Sequence, residues 1–319
     1  MTLDLQLKAT RAFIEAADDF LLTTHVNSDA DGLGACMAWA HLLRGLGKRA
    51  DIGLPEPPAG QCSFLAGWDG VRHFADLDLA RYRCAIVADC PSLDRIGPLR
   101  PSLSSDIRLL NIDHHQDNEC FGAVNIVEEV SSTCELLYHL ASGLGYEVDA
   151  VAAAQLYAGI LFDTGGFRFS LTTATTFEVA ADLVRRGARL DTIAEGVFGN
   201  KSLGSIKQRG QAIESLVLHL EGRAAVLHLD CAAMSAGEPD EAVNYGMMIQ
   251  GVEVAVLLKE RAPGCYRVSL RSRDNIDVSQ VARTFGGGGH ARAAGLELTG
   301  VPQDIVEDIL TEISRYLNK

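Results

Sequence analysis

Short apolar runs alternate with amphipathic stretches through the first part of the chain, and several of the runs stop at an acid. From residue 3 to 19, Leu3, Leu7, Ala12, Phe13, Ile14 and Ala17 recur at helical spacing and predict an amphipathic first helix. Phe20-Leu21-Leu22-Thr23-Thr24 reads as a buried strand, followed by a polar loop from His25 to Gly34 and a helical run from Ala35 to Leu46. Arg49 to Gly53, Cys84 to Ala88 and Ile107 to Ile112 read as further strands, the last two closing on Asp89 and Asp113. Helices are predicted from Ser131 to Leu144, from Ala150 to Phe162 and from the threonines at 172–176 through Arg186, where Gly187 stops the pattern. Strands separated by helices imply an α/β unit. Its sheet is expected to be parallel with helices on both faces, and its ligand crevice to lie at the carboxyl ends of the strands.

Beyond residue 188 the pattern changes. Residues 191–216 read as helical but poorly apolar around Gly199-Asn200-Lys201-Ser202, which suits a connection. Two hairpins follow, Val217–Leu220 with Ala224–Leu229 and Glu253–Leu258 with Tyr266–Leu270, together with helical patterns at 238–250, 277–284 and 302–317. The expected division is 1–188, a helical linker 189–216, and a smaller α+β domain 217–319.

The second domain carries Phe285-Gly286-Gly287-Gly288-Gly289-His290, then Ala291-Arg292-Ala293-Ala294-Gly295. Consecutive glycines let backbone N–H groups approach a phosphate closely, and a helix of small residues starting here would point its positive end at an anion. No Lys-Ser/Thr follows the glycines, so the run is not a nucleoside-triphosphate P-loop. A flexible linker is excluded by the apolar flank of Val278, Val281, Ala282 and Phe285.

Composition narrows the function classes. The 319 residues suit two domains, and 47% hydrophobic with 22% charged residues is ordinary for a globular protein. A net charge of −14 argues against tight, sequence-independent binding to long nucleic acid. The eight scattered cysteines form no Cys-x-x-Cys pair, which excludes a zinc ribbon. The N-terminal Met-Thr-Leu-Asp-Leu-Gln lacks the order of a signal peptide, and the stretch from Val151 to Phe162 is too short to span a bilayer. A cytoplasmic location without membrane contact is expected.

The element-end residues form a candidate metal site: His25, Asp29, Asp31, Asp89, Asp113, His114, His115 and Asp163. Carboxylates with a minority of imidazoles suit manganese or magnesium, with cobalt or zinc also able to enter, and the surplus over four ligands points to two ions. Singly, each acid reads equally well as a turn former or helix cap. Arg95, shortly after Asp89, reads as a substrate contact or a salt bridge.

His-x-x-x-Asp-x-Asp-x-x-Gly at 25–34, Asp89, Asp-His-His at 113–115 and Asp-Thr-Gly at 163–165 resemble, in order, the four motifs of the DHH phosphoesterase superfamily. The Gly-Gly-Gly-His segment resembles that of its DHHA1 partner domain. The resemblance implies a DHH domain at 1–188 and a DHHA1 domain at 217–319. It implies one ion on His25, Asp29 and Asp89 and a second on Asp31, Asp89, His114 and Asp163. Asp113 would orient an imidazole, and His115 would face the scissile phosphate. Arg271, Gly287, Gly288, Gly289 and His290 would grip the substrate; Arg273 reads as a solvated charge, and Arg292 stays open.

Within the superfamily, the two-domain form is similar to the NrnA-type oligoribonucleases. These trim very short RNA to mononucleotides and dephosphorylate 3′-phosphoadenosine 5′-phosphate. The expected partners are therefore short RNA or small phosphorylated nucleotides, with a homodimer open. The alternatives are a cyclic-dinucleotide phosphodiesterase, a RecJ-like single-strand exonuclease and a non-catalytic nucleotide sensor. A family II inorganic pyrophosphatase lacks the glycine-rich domain.

Overall fold

The computed structural model describes residues 3–60, 62–199, 201–235, 242–273 and 276–317. They fall into two compact units, Met1–Asn200 and Lys201–Lys319.

Unit 1 runs α1 (Leu3–Glu15), β1 (Asp19–Thr23), α2 (Ala30–Gly45), β2 (Arg49–Leu54), β3 (Val71–His73), β4 (Cys84–Ala88), β5 (Arg108–Asp113), β6 (Val124–Val127), α3 (Thr133–Leu144), α4 (Ala150–Asp163), α5 (Ala174–Arg185) and α6 (Leu190–Phe198). The strands form one sheet in the order β3-β2-β1-β4-β5-β6, and every neighbouring pair is parallel. Because side chains alternate across a strand, Phe20 and Leu22 enter the main core while Leu21 enters the opposite one. The main core takes residues from all six helices. The other face packs under a 3₁₀ segment, Leu93–Ser102, through Ile96 and Leu99, so cover of the two faces is unequal. Full burial of each such aliphatic side chain contributes about 1.5–3 kcal/mol.

Strands β3 and β6 add edges that the apolar pattern did not predict, because each is short and only part-buried. Helix α2 begins at Ala30, ahead of the expected Ala35. Asp29 is its N-cap, with Oδ1 accepting from the amides of Asp31 at 2.9 Å and Gly32 at 3.2 Å.

Unit 2 runs α7 (Leu203–Glu214), β7 (Val217–His219), β8 (Ala224–Leu229), α8 (Cys231–Met234), α9 (Val243–Met247), β9 (Val254–Ala262), β10 (Cys265–Ser272), α10 (Val278–Thr284), β11 (Gly288–His290), β12 (Ala293–Thr299) and α11 (Pro302–Leu317). Its sheet, in the order β11-β12-β10-β9-β8-β7, is antiparallel except for the β8–β9 pair. Both expected hairpins are present. Of the helix expected at 238–250, residues 238–241 lie outside the described residues and Val243–Met247 is helical.

The small-residue helix expected after the glycines is corrected to strand. Alanine favours helix locally, but Ala293 and Gly295 pair with Arg271 and Ser269 of β10, and the ladder overrides propensity. Among the described residues no helix is long and apolar enough to cross a membrane, and all eight cysteines are free.

Candidate metal centre

The order of the first sheet reverses between β1 and β4, and the chain leaves both strands at their carboxyl ends. In an open parallel sheet this switch point is where a crevice forms. His25 follows β1, Asp89 follows β4, and Asp113 ends β5 with His114 and His115 behind it. Asp29 caps α2, Asp31 lies in its first turn, and Asp163 is the last residue of α4.

These side chains converge. Nε2 of His25 lies 3.4 Å from Oδ2 of Asp89 and 3.8 Å from Oδ2 of Asp29. Nε2 of His114 lies 3.0 Å from Oδ2 of Asp163 and 3.6 Å from Oδ1 of Asp89. Three groups have ligand atoms within 4.8 Å of one another: His25–Asp29–Asp89, Asp31–His114–Asp163 and Asp89–His114–His115. Asp89 thus faces both clusters with different oxygens. Its backbone has φ +56°, a left-handed conformation that costs a non-glycine residue roughly 1 kcal/mol or more. Its amide is fixed on Ile112 O at 2.9 Å.

Hydrogen bonds set each imidazole. A carbonyl or carboxylate oxygen can only accept, so Nδ1–H of His25 donates to Val26 O at 2.9 Å and that of His114 to Val130 O at 3.2 Å. Both Nε2 atoms face the carboxylates, where an ion could replace the proton between them. Nδ1–H of His115 donates to Oδ1 of Asp113 at 2.7 Å, while Asn118 Nδ2 donates to the other Asp113 oxygen at 2.6 Å. Arg95 is exposed, with its guanidinium 3.5 Å from Nδ1 of His25.

Helix α3 supports the centre from behind. Its first two amides, of Thr133 and Cys134, donate to the two oxygens of Asp31 at 2.7 and 3.0 Å, and Thr133 Oγ1 donates to Oδ1 of Asp89 at 3.1 Å. A helix N-terminus stabilises a buried carboxylate in this way. The Ser-Ser-Thr run announces a helix start but not this second duty. Asn118 carried no signal in the motif spacing. Close contact of α2 and α4 brings the acids together: a Cβ on Gly34 would press on Gln155 O, and one on Gly159 would overlap Cys134 Sγ and crowd Asp31. Glycine is required at both positions.

Charge is concentrated. Burial and the charge of Asp89 raise the Asp29 carboxyl to about 6, and burial with Asp89 and Asp163 holds Asp31 well above the usual carboxylate range. For Asp89 burial opposes ionisation, but the hydrogen bond and charge of His25 and the charges of His114 and His115 prevail and lower it. Burial likewise opposes charge on His25, yet Asp89 and Asp29 raise it to about 9; His114 is raised well above its ordinary value, chiefly by Asp163. A buried excess of acid, with imidazole nitrogens turned toward it, fits hard divalent cations, and these residues can hold them.

In unit 2, Arg271 lies near the end of β10, opposite Ala293 and Ala255, and its Nη1 donates to Leu270 O at 3.1 Å. Arg273 is exposed, in keeping with its reading as a solvated charge, and its guanidinium also donates to Met247 O. Arg292 donates to Ile276 O at 2.7 Å, a structural tie. A Cβ on Gly287 would overlap Gly295 O, and one on Gly289, at φ +136°, would crowd Ala293 and Ala294, whereas Gly288 has open space. The backbone of His290 lies in β11, and its side chain is outside the described residues.

Comparison with known proteins adds a second line. Residues 19–162 match the DHH family N-terminal domain, and residues 223–319 match the DHHA1 domain. The chain is 30% identical over 303 residues to the bifunctional oligoribonuclease and PAP phosphatase NrnA of Thermus thermophilus, covering 92% of this chain and 90% of that one. It is 29% identical over 296 residues to the protein of that name from Bacillus subtilis, covering 89% and 91%. An exopolyphosphatase-related protein from Bacteroides fragilis superposes with a TM-score of 0.91 at 22% identity, covering 99% of this chain and 98% of that one.

Proposed function

The chain belongs to the DHH family, and on that premise we propose that it is a two-metal phosphoesterase. In this reading it degrades very short oligoribonucleotides, linear dinucleotides among them, to mononucleotides and dephosphorylates 3′-phosphoadenosine 5′-phosphate. The observation that carries this reading is Asp89, whose two oxygens face separate ligand groups. His25, Asp29 and Asp89 would hold one ion, and Asp31, Asp89, His114 and Asp163 the other. Manganese is the ion proposed, with magnesium or cobalt as alternatives. When bound, the ions supply Lewis-acid stabilisation of charge on the phosphoryl oxygens and make water a better nucleophile near neutral pH.

The remaining residues position and protonate. Asp113 holds Nδ1–H of His115, which fixes the ring, and Nε2 would present a proton toward the phosphate. Burial opposes charge on His115, but the hydrogen bond and the charges of Asp89 and Asp113 raise its pKa, which favours the donor form. Asn118 keeps the second oxygen of Asp113 occupied. Arg271, the open Gly288 and His290, with Gly287 and Gly289 shaping the hairpin, would hold the substrate phosphate or base. The preference for short linear substrates rests on the two relatives matched over nine-tenths of their length, and on a net charge of −14, which repels a long strand.

The test is a substrate panel with manganese or magnesium: linear diadenylate and diguanylate, longer RNA and DNA, cyclic dinucleotides, and 3′-phosphoadenosine 5′-phosphate. The expected result is turnover of the linear dimers and of 3′-phosphoadenosine 5′-phosphate, abolished by Asp89→Asn. Rapid cleavage of cyclic dinucleotides beside inert linear dimers overturns the reading.

A further inference from the structure

The turn leaving α4 carries a feature that metal binding does not explain. Thr164 locks it: Oγ1 donates to Ile160 O at 2.6 Å and accepts from Phe167 N at 3.0 Å, while its carbonyl accepts from the amides of Arg168 and Phe169 at 2.9 and 3.0 Å. Arg168 Nε closes the turn on Gly165 O. Gly165, Gly166 and Phe167 all have positive φ, at 57°, 71° and 63°. Phe167 turns inward, 6.3 Å from the ring of Tyr157 and stacked at 5.2 Å on Phe177. Phe169 does not. Its ring lies across Gly165, so close that any Cβ there would strike it, and it remains 50% exposed.

We propose that Phe169 is a stacking platform for a nucleobase of the substrate, fixed by this turn four residues beyond Gly165 and six beyond Asp163. The inference rests on the nucleotide reading given above and adds to it the group that would recognise the base. The metal-centre residues are acids and imidazoles whose polar atoms converge on one another, as suits cations and phosphate, whereas Phe169 presents an apolar aromatic ring. A half-exposed ring fixed on a glycine needs no reordering to accept a flat partner, and base–aromatic stacking tolerates any sequence. The occupant is therefore the base of a nucleotide whose phosphate lies at the metal centre. Phe198, whose ring edge lies close to the Cβ position of Gly166, borders the same surface.

The experiment compares wild type, Phe169→Ala and Phe169→Tyr on diadenylate and on two analogues of it, each abasic at one of the two positions. Phe169→Ala is expected to raise KM for diadenylate roughly ten- to a hundredfold with kcat changed less than about threefold, while Phe169→Tyr stays near wild type. One abasic analogue, lacking the stacked base, should show the same KM in wild type and Phe169→Ala. An unchanged KM for diadenylate in Phe169→Ala, or equal losses on all three substrates, overturns the proposal. Binding is read separately from catalysis with a 2-aminopurine dinucleotide: quenching in wild type and Phe169→Tyr but not in Phe169→Ala supports stacking, and no quenching in wild type overturns it. Phe169→Leu keeps bulk over Gly165 without an aromatic face and replaces the alanine variant if that fails to fold. Wild type that quenches the probe but cleaves no dinucleotide would count against the proposed function alone.

Discussion

The hydroxyl of Thr133 donates to Oδ1 of Asp89 across 3.1 Å, from the same residue whose amide donates to Oδ2 of Asp31 at 2.7 Å. One residue at the head of α3 therefore restrains an acid from each of two chain segments. Thr133→Val removes only the hydroxyl. Manganese affinity, read by titration calorimetry, is expected to fall about 10- to 100-fold with the fold intact, and Thr133→Ser should restore most of it. Unaltered affinity in the valine variant would show that the bond does not position Asp89.

The pair Asp113–His115 makes a prediction in pH. Asp113 raises the imidazole pKa, so Asp113→Asn lowers it and depletes the protonated ring at a lower pH. The alkaline limb of the kcat profile should move toward acid, and kcat at neutral pH should drop roughly 10²- to 10⁴-fold. A smaller kcat with both limbs unmoved would remove His115 from the proton-donor role.

Metal and protons compete for the same atoms. Folding raises Asp29 from 3.8 to about 6 and His25 from 6.5 to about 9. A raised folded-state pKa gives stability that is complete below the unfolded value and lost as pH climbs through the folded one. For Asp29 the loss ends near 6, and for His25 it runs on to about 9. Metal-free protein should therefore lose stability from pH 6 to 9, while divalent ions take over the vacated donors. The gain in Tm on adding manganese to chelator-treated protein should grow across that interval in thermal scans. A gain that shrinks with pH contradicts the assignment.

Neighbouring glycines in unit 2 should differ. Gly287→Ala sets a methyl against Gly295 O and Leu296, whereas Gly288→Ala meets open space. Urea unfolding should show about 1–3 kcal/mol lost for the first and little for the second. Any weakening of substrate binding at unchanged stability is expected only at Gly288.

What the residue pattern revealed and what it hid divide along physical lines. His25, Asp29, Asp31, Asp89, His114 and Asp163 could be gathered because each ends or begins an element, and element ends follow from hydrophobic period. The start of α2 was misread because Gly32 and Gly34 look like loop residues. Each costs a helix about 1 kcal/mol, which contact with α4 offsets at Gly34. Strands β3 and β6 escaped because short, half-exposed edges carry little alternation. Ala293 and Ala294 misled in the other direction, since nothing local reports the ladder partner of a strand. Thr133 acts through distant partners, of which linear spacing holds no record, and Asn118, five residues from Asp113, lies outside the motifs.

Helices α2 and α4 touch through Gly34 at Gln155 and through Gly159 at Asp31, so they run antiparallel with the head of one beside the tail of the other. Asp31 sits at that head and Asp163 at that tail. The span between the two carboxylates is thus gauged by backbone against side chain, with no loop in between to stretch. Calcium, which takes six to eight oxygens at about 2.3–2.6 Å in yielding sites, would need such a frame to give, whereas ions that accept about 2.0–2.1 Å and fewer protein ligands would not. The helix contact would act on the proposed ions as a caliper of radius.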